Sequence, residues 1–326
     1  MRRSVTASSL MATLMATVCI ALTAGTASAA STAHWSRGTE MLAARGWFGT
    51  AVVNNLMYAV GGDGRGSTEA YKPSTRTWHY RAALPDTRDW FAVAAQGGEV
   101  YAFGGFVAGP NSHHSSRESD RYDPASDTWI RVAAMPTDRY GAAAVTGQDG
   151  RIYVIGGWST RSNTALTTLE AYSPLTNSWK VLASMHAARQ SPGAAMDRSG
   201  RIYAIGGYNT TRGYLRSVER YNPATNAWVT VRSMREARAG LTAVTGEDGR
   251  IYAMGGYNPR FARRFRRTVE VYGAFGNVWR PAPAMPVARA NFAAARIGPK
   301  IYALGGENQF TTRLRAVSAL HPVLPA

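Results

Sequence analysis

Six arginines recur through the chain in one fixed setting: Arg45, Arg88, Arg139, Arg189, Arg238 and Arg289 each lie ten residues after a tryptophan. A guanidinium presents forked donors that match carboxylate, sulfate or phosphate, so a ring of six reads as an anion clamp. The competing use is structural, each arginine pairing with a repeated acid or capping backbone carbonyls. Three carboxylates, Asp63, Asp89 and Glu307, are the candidates for general acid–base work, which requires burial or a neighbour to move a pKa toward neutrality. His113-His114 is the one pair with metal-ligand chemistry. Adjacent residues of one strand do not readily chelate a single ion and no third ligand stands at a recognisable spacing, so no metal and no cofactor is assigned. Neither G-x-S-x-G nor H-E-x-x-H occurs.

These residues sit inside a repeat. Gly-Gly pairs begin at Gly61, Gly104, Gly156, Gly206, Gly255 and Gly305, each three residues after a tyrosine. An acid and a tyrosine follow as Glu69/Tyr71, Asp120/Tyr122, Glu170/Tyr172, Glu219/Tyr221 and Glu270/Tyr272, and seven residues after each of these tyrosines comes Trp78, Trp129, Trp179, Trp228 or Trp279. From each arginine to the next Gly-Gly is 16 or 17 residues, and only the interval between Gly-Gly and the acid is elastic, at 7 to 15. A period near fifty with constant internal spacing is one supersecondary unit copied around an axis. Each unit parses as four short strands, for example an apolar strand over Phe48–Val53, an alternating one over Leu56–Val60, the acid-x-Tyr strand, and a strand opened by the tryptophan, with Pro/Asn/Asp/Ser turns between.

Six copies with these motifs resemble the kelch repeat over essentially the whole chain after residue 29. The resemblance implies an all-β, six-bladed propeller of four-stranded antiparallel blades around a central channel. The sixth copy runs out of chain. Its third strand, expected over Leu314–Leu320, has Ser318 and Leu320 in place of acid and tyrosine, and its tryptophan would fall at 327. Trp35 lies ten residues before Arg45 with no blade of its own, so the N-terminal segment is expected to supply the missing strand and close the ring, which also removes sheet edges. Kelch relatives suggest three chemistries. Copper radical oxidases similar to galactose oxidase need a cysteine crosslinked to tyrosine, and Cys19 is the only cysteine, inside the segment read as cleaved. The iron motif of plant nitrile-specifier proteins is not found. Exported propellers similar to sialic acid mutarotase, which use Arg and Glu without a cofactor, match in size and in a mixed Arg/carboxylate mouth.

Strand direction puts the arginine loops and the elastic post-Gly-Gly loops on one face, and length variation over a rigid scaffold is where binding residues usually sit. That face should carry Trp47, Trp90, Phe106, Trp158, Tyr208 and Tyr257, with Asp63, Asp89 and Glu307 toward neighbouring blades six, one and two. Blades three to five add basic loops with Arg212, Arg216, Arg263, Arg264, Arg266 and Arg267. Aromatic faces suit sugar rings and arginines suit an attached anionic group.

The first residues bound the setting. Arg2-Arg3, an apolar run over Leu10–Ala24 and Ala27-Ser28-Ala29 give the layout of a secretory signal with cleavage after Ala29, leaving residues 30–326 as one propeller domain. No other segment reaches the length of a membrane span. Loss of Arg2 and Arg3 takes the formal charge from +17 to +15, an excess that favours anionic partners. The chain therefore reads as a secreted, monomeric binding protein for an acidic carbohydrate, polymer or acidic protein segment. The alternative is a cofactor-free mutarotase acting on a carboxylated sugar such as a sialic acid. Export argues against nucleic acid as a partner.

Overall fold

The computed structural model describes residues 32–109, 112–310 and 313–322. The segment read as a signal, with Cys19, lies outside them.

Each repeat forms one antiparallel four-stranded sheet, and the described residues contain six such sheets and no helix. Blade 1 comprises Gly49–Val53, Leu56–Val60, Thr68–Lys72 and Thr77–Arg81. The same order recurs in blades 2 to 5, which end at Arg131, Leu182, Val231 and Ala282. Local sequence explains each piece. Asn54 and Asn55 adopt the left-handed conformation that a two-residue hairpin turn demands, joining the first two strands with matching twist. Second strands such as Ile152–Ile155 and Ile202–Ile205 are uninterrupted apolar runs because neighbouring blades cover them on both faces, and every residue in them is buried.

The first strands touch one another in a closed cycle, blade 1 meeting blades 2 and 6. Six apolar clusters fill the six seams between blades. A fully buried side chain of this kind contributes about 1.5–3 kcal/mol, so the seams are the main source of cohesion. The repeated tryptophan works at the seam. Its ring packs there while its indole N–H donates to a carbonyl of the preceding blade: Trp129 to Ala82, Trp179 to Ala133, Trp228 to Ala183 and Trp279 to Arg232, at 2.7–3.0 Å. Trp78 donates to Thr39 at 3.0 Å and Trp35 to Pro283 at 2.8 Å.

Blade 6 comprises Ala293–Ile297, Lys300–Leu304 and Val317–His321, with His34–Arg37 as its outer strand and Trp35 opposite Leu320. Its third strand starts three residues later than the sequence suggests, because Leu314 instead bridges to Arg45. No helix among the described residues is long and apolar enough to cross a membrane.

Candidate functional site at the channel mouth

The six arginines do not reach the mouth, which corrects their reading as ligand-binding residues. Arg45, Arg88, Arg139, Arg189, Arg238 and Arg289 are at most 1% exposed, each buried inside its own blade. Arg45 donates to the Gly61 carbonyl at 2.6 Å and pairs with Glu69 at 2.7 Å; Arg189 does the same with Gly206 at 2.7 Å and Glu219 at 2.9 Å. Arg88, Arg139 and Arg238 pair with Asp120, Glu170 and Glu270. The physical reason is register: the repeated acid of the third strand faces inward, where only a partnered charge is tolerated. The arginine carbonyl then serves the preceding blade, as when Gly157 N–H donates to Arg189 O at 2.8 Å. This contact also explains the Gly-Gly pair. At Gly104, with φ 65°, a Cβ would stand 2.4 Å from the Arg139 oxygen.

The mouth is built two residues after each arginine. Trp47, Trp90, Gly141, Ser191, Gly240 and Asn291 all have φ between 49° and 62°. Their backbones form a closed hydrogen-bonded annulus: Trp90 N–H donates to Trp47 O, Gly141 to Trp90, Ser191 to Gly141, Gly240 to Ser191, Asn291 to Gly240 and Trp47 to Asn291, at 2.7–3.0 Å. Left-handed conformation at a bulky residue costs on the order of 1–3 kcal/mol and persists where the surroundings impose it, commonly at functional sites. Two glycines in the annulus show that the position accepts glycine, yet blades 1 and 2 carry tryptophan.

Over the annulus lies a cavity of about 730 Å³ walled by Trp47, Trp90, Tyr214, Tyr257 and Phe265, with Asn291, Glu307 and Arg264 as polar groups. An adjoining cavity of about 240 Å³ adds Tyr208 and Gln190 above Ser191 and Gly240. The aromatics brace one another: Trp47 meets Trp90 edge-on at 5.5 Å, Trp90 stacks on Tyr140 at 5.1 Å, and Tyr257 contacts Phe265 at 5.1 Å. The indole N–H groups of Trp47 and Trp90 have no hydrogen-bond partner among the described residues. Tyr214 and Phe265 did not stand out in the sequence, since they lie in the return arms of variable loops, Tyr214 on the short strand Gly213–Tyr214 and Phe265 at a single bridge to Tyr257. The annulus had a signal, the fixed offset of two from each arginine.

Other expected site residues are dispersed. Glu307 borders the cavity and accepts from Asn291 Nδ2 at 2.5 Å, while its half-buried position pushes its pKa above the usual carboxylate range despite that bond. Asp89 is also pushed up, by burial, against the opposing pull of Arg313 and with a small push from Asp63. Asp63 is tied into its own turn; burial raises its pKa, but hydrogen bonds from Ser67 and the Arg65 N–H outweigh that and hold it low. Neither Asp63 nor Asp89 lines the mouth cavities. Phe106 packs edge-on against Tyr140 at 5.2 Å, and Trp158 is engaged in a short hairpin with Ala165; neither lines these cavities. The basic loops divide: Arg264 lines the cavity, Arg212, Arg216 and Arg263 are exposed, Arg266 is held by Glu236, and Arg267 donates to Met285 O.

Four-stranded blades latched by buried Arg–acid pairs around an aromatic axial mouth define a six-bladed kelch-type propeller. The Attractin/LZTR1 beta-propeller family matches residues 100–319 and the Kelch motif matches residues 45–85, so the chain belongs to the Attractin/LZTR1 beta-propeller family. The solved structure of YjhT shares the fold with a TM-score of 0.76, covering 87% of this chain and 95% of that one at 15% identity. No curated protein matches the sequence.

Proposed function

We propose that this chain is an exported binding propeller whose axial mouth takes a carbohydrate ring, with an acidic substituent of the sugar met by Arg264. The observation that carries this reading is the pair Trp47 and Trp90, held left-handed at positions where two other blades use glycine, and facing Tyr214, Tyr257 and Phe265 across one cavity. Sugar rings stack on aromatic faces, and Asn291, Glu307 and Gln190 offer hydrogen-bond partners for hydroxyls. Export rests on Arg2-Arg3, the apolar run and Ala27-Ser28-Ala29. Saturation-transfer NMR and tryptophan fluorescence, run against neutral and carboxylated monosaccharides, test the reading. Contact that favours the carboxylated sugars and disappears in Trp90→Ala supports it; contact indifferent to Trp47 and Trp90 overturns it.

One observation favours the catalytic alternative, a mutarotase on a carboxylated sugar. Glu307 combines a raised pKa, a fixed hydrogen bond to Asn291 and a place at the cavity wall, as a general acid–base for hemiacetal opening requires. Anomer exchange followed by NMR decides it: acceleration lost in Glu307→Gln supports catalysis, and exchange at the buffer rate excludes it.

A further inference from the structure

Four seams of the ring are clasped alike. Asp127, Asn177, Asn226 and Asn277 stand left-handed in the turn between third and outer strands. Each accepts from a backbone N–H of the preceding blade, Ala82, Ala133, Ala183 and Arg232 respectively, at 2.8–2.9 Å. Each also accepts from the tyrosine hydroxyl five residues earlier in its own blade, at 2.6–2.8 Å. In blade 1 the same position, five residues after Tyr71, is Arg76, also left-handed at φ 56°. A guanidinium has donors only and cannot make this clasp. The seam concerned, between blades 6 and 1, opens into a groove of about 1080 Å³. Its walls include the hairpin turns at Asn54-Asn55 and Gly298-Pro299, at the far ends of the first strands, so it lies on the face opposite the mouth.

The charge of this groove has one sign. His34, Arg37, Lys72, Arg76, Lys300 and His321 line it, and among the described residues no carboxylate does. Arg37 is paired at 2.7 Å with Glu40, which lies outside the lining. His34 and His321 stack nearly parallel at 4.6 Å, and Ser36 Oγ lies 2.9 Å from His321 Nε2. Burial, then Lys300 and His34, hold the His321 imidazole below its ordinary value, in keeping with a positive local field. Between the cations stand neutral groups, Asn54, Asn55 and Ser74 among them, able to exchange hydrogen bonds with hydroxyls. The volume is at the upper end of the roughly 300–1,000 Å³ usual for a single small ligand.

We propose that the seam between blades 6 and 1 is a second ligand site that binds an acidic oligosaccharide, its sulfate or carboxylate groups met by Lys72, Arg76 and Lys300. Cations interleaved with amides and hydroxyls suit a charged sugar chain better than a polymer that offers charge alone. The site lies on the other face from the mouth and is independent of the carbohydrate reading there.

The test is titration calorimetry of the full chain with a heparin-derived hexasaccharide at low and moderate salt. Binding should weaken as salt rises, and fall at least tenfold in Lys72→Gln/Arg76→Gln/Lys300→Gln with an unchanged melting temperature. Arg76→Asn, which installs the clasp of the other seams, should also weaken binding while holding or raising the melting temperature. Trp90→Gly at the mouth should remove at most the binding that survives the triple substitution, leaving the Lys72/Arg76/Lys300-dependent part in place, and the His321 ring proton should titrate at higher pH in the complex. Three results overturn the proposal: no binding, binding unaffected by the triple substitution, or equal affinity for linear polyphosphate of the same charge. Loss of hexasaccharide binding in Trp90→Gly alone would move the ligand to the mouth and overturn it too.

Discussion

Arg189 and Glu219 meet at 2.9 Å in the interior of blade 4, with side-chain exposures of 0% and 2%. The same carboxylate accepts from the backbone N–H groups of His186 and Ala187, so one acid fixes both the arginine and the loop that carries it. Removing one partner of such a pair leaves a buried charge without compensation, which costs roughly 3–5 kcal/mol. Glu219→Leu should therefore lower stability by about that amount in urea denaturation, far more than an exposed substitution such as Arg212→Ala. A loss below about 1 kcal/mol would mean that water reaches the guanidinium after all.

Blade 6 lacks the acid. Ser318 occupies its register, opposite Ala303, and Arg289 is left with carbonyl partners at Gly305 and Ala316 while its Nε and Nη2 have none among the described residues. Burial pushes the Arg289 pKa down to about 10. Ser318→Glu should supply the missing carboxylate and stabilise the chain by about 1.5–3 kcal/mol, the range of a hydrogen bond to a charged group. Thermal denaturation at pH 7 reads the result; a lower midpoint would show that the pocket has no room for the longer side chain.

At the mouth, Trp90→Gly separates stability from binding. Deleting a fully buried tryptophan side chain costs about 3–5 kcal/mol, and Trp90 is only half-buried, so its loss costs less than that. Here glycine also relieves a left-handed backbone, worth on the order of 1–3 kcal/mol, and Gly141 and Gly240 already hold equivalent positions. The variant should keep its melting temperature within a few degrees while sugar contact is lost. A collapse in stability would make Trp90 a packing residue.

Glu307 gives a pH signature. Its folded pKa is raised by burial, so the native state holds the proton more tightly than the unfolded chain does. Stability from this group is greatest at low pH and declines as pH rises from the unfolded value of 4.5 through the raised folded value. Other carboxylates, such as Asp149 and Asp138, are held low and act in the opposite sense, so the comparison must be with Glu307→Gln. Relative to that variant, the native chain should lose stability across this window. A flat difference between the two denaturation curves would show that Glu307 is as solvated folded as unfolded.

Blade number, strand order and the turn positions were legible because they are local. Tyrosine, Gly-Gly, acid, tryptophan and arginine recur at fixed intervals, and each interval is a strand or turn length that chain geometry dictates. The tryptophan spacing also placed Trp35 with the set, and it lies opposite Leu320 with its indole on Pro283. Which side of the sheet a repeated polar residue faces was not legible in the same way. An arginine before a first strand can point to the channel or back into its blade. The choice was decided by Glu69, Asp120, Glu170, Glu219 and Glu270, which meet their arginines only once the third strand pairs with the second.

The two candidate sites depend still more on assembly. Trp47 and Asn291 are far apart in sequence and adjacent in the annulus, and Arg264 meets Glu307 around one cavity only because the ring brings blade 5 beside blade 6. Arg76 looks like any turn residue until the seam shows that its counterparts are acceptors. The sequence by itself determined a six-unit kelch propeller, since spacing within each unit is a property of a short stretch of chain. Only the tertiary structure decided that the arginine ring is internal, that the mouth is aromatic and that a one-signed groove lies at the seam of blades 6 and 1. Those are relations between units, set by packing across an axis that no single repeat contains.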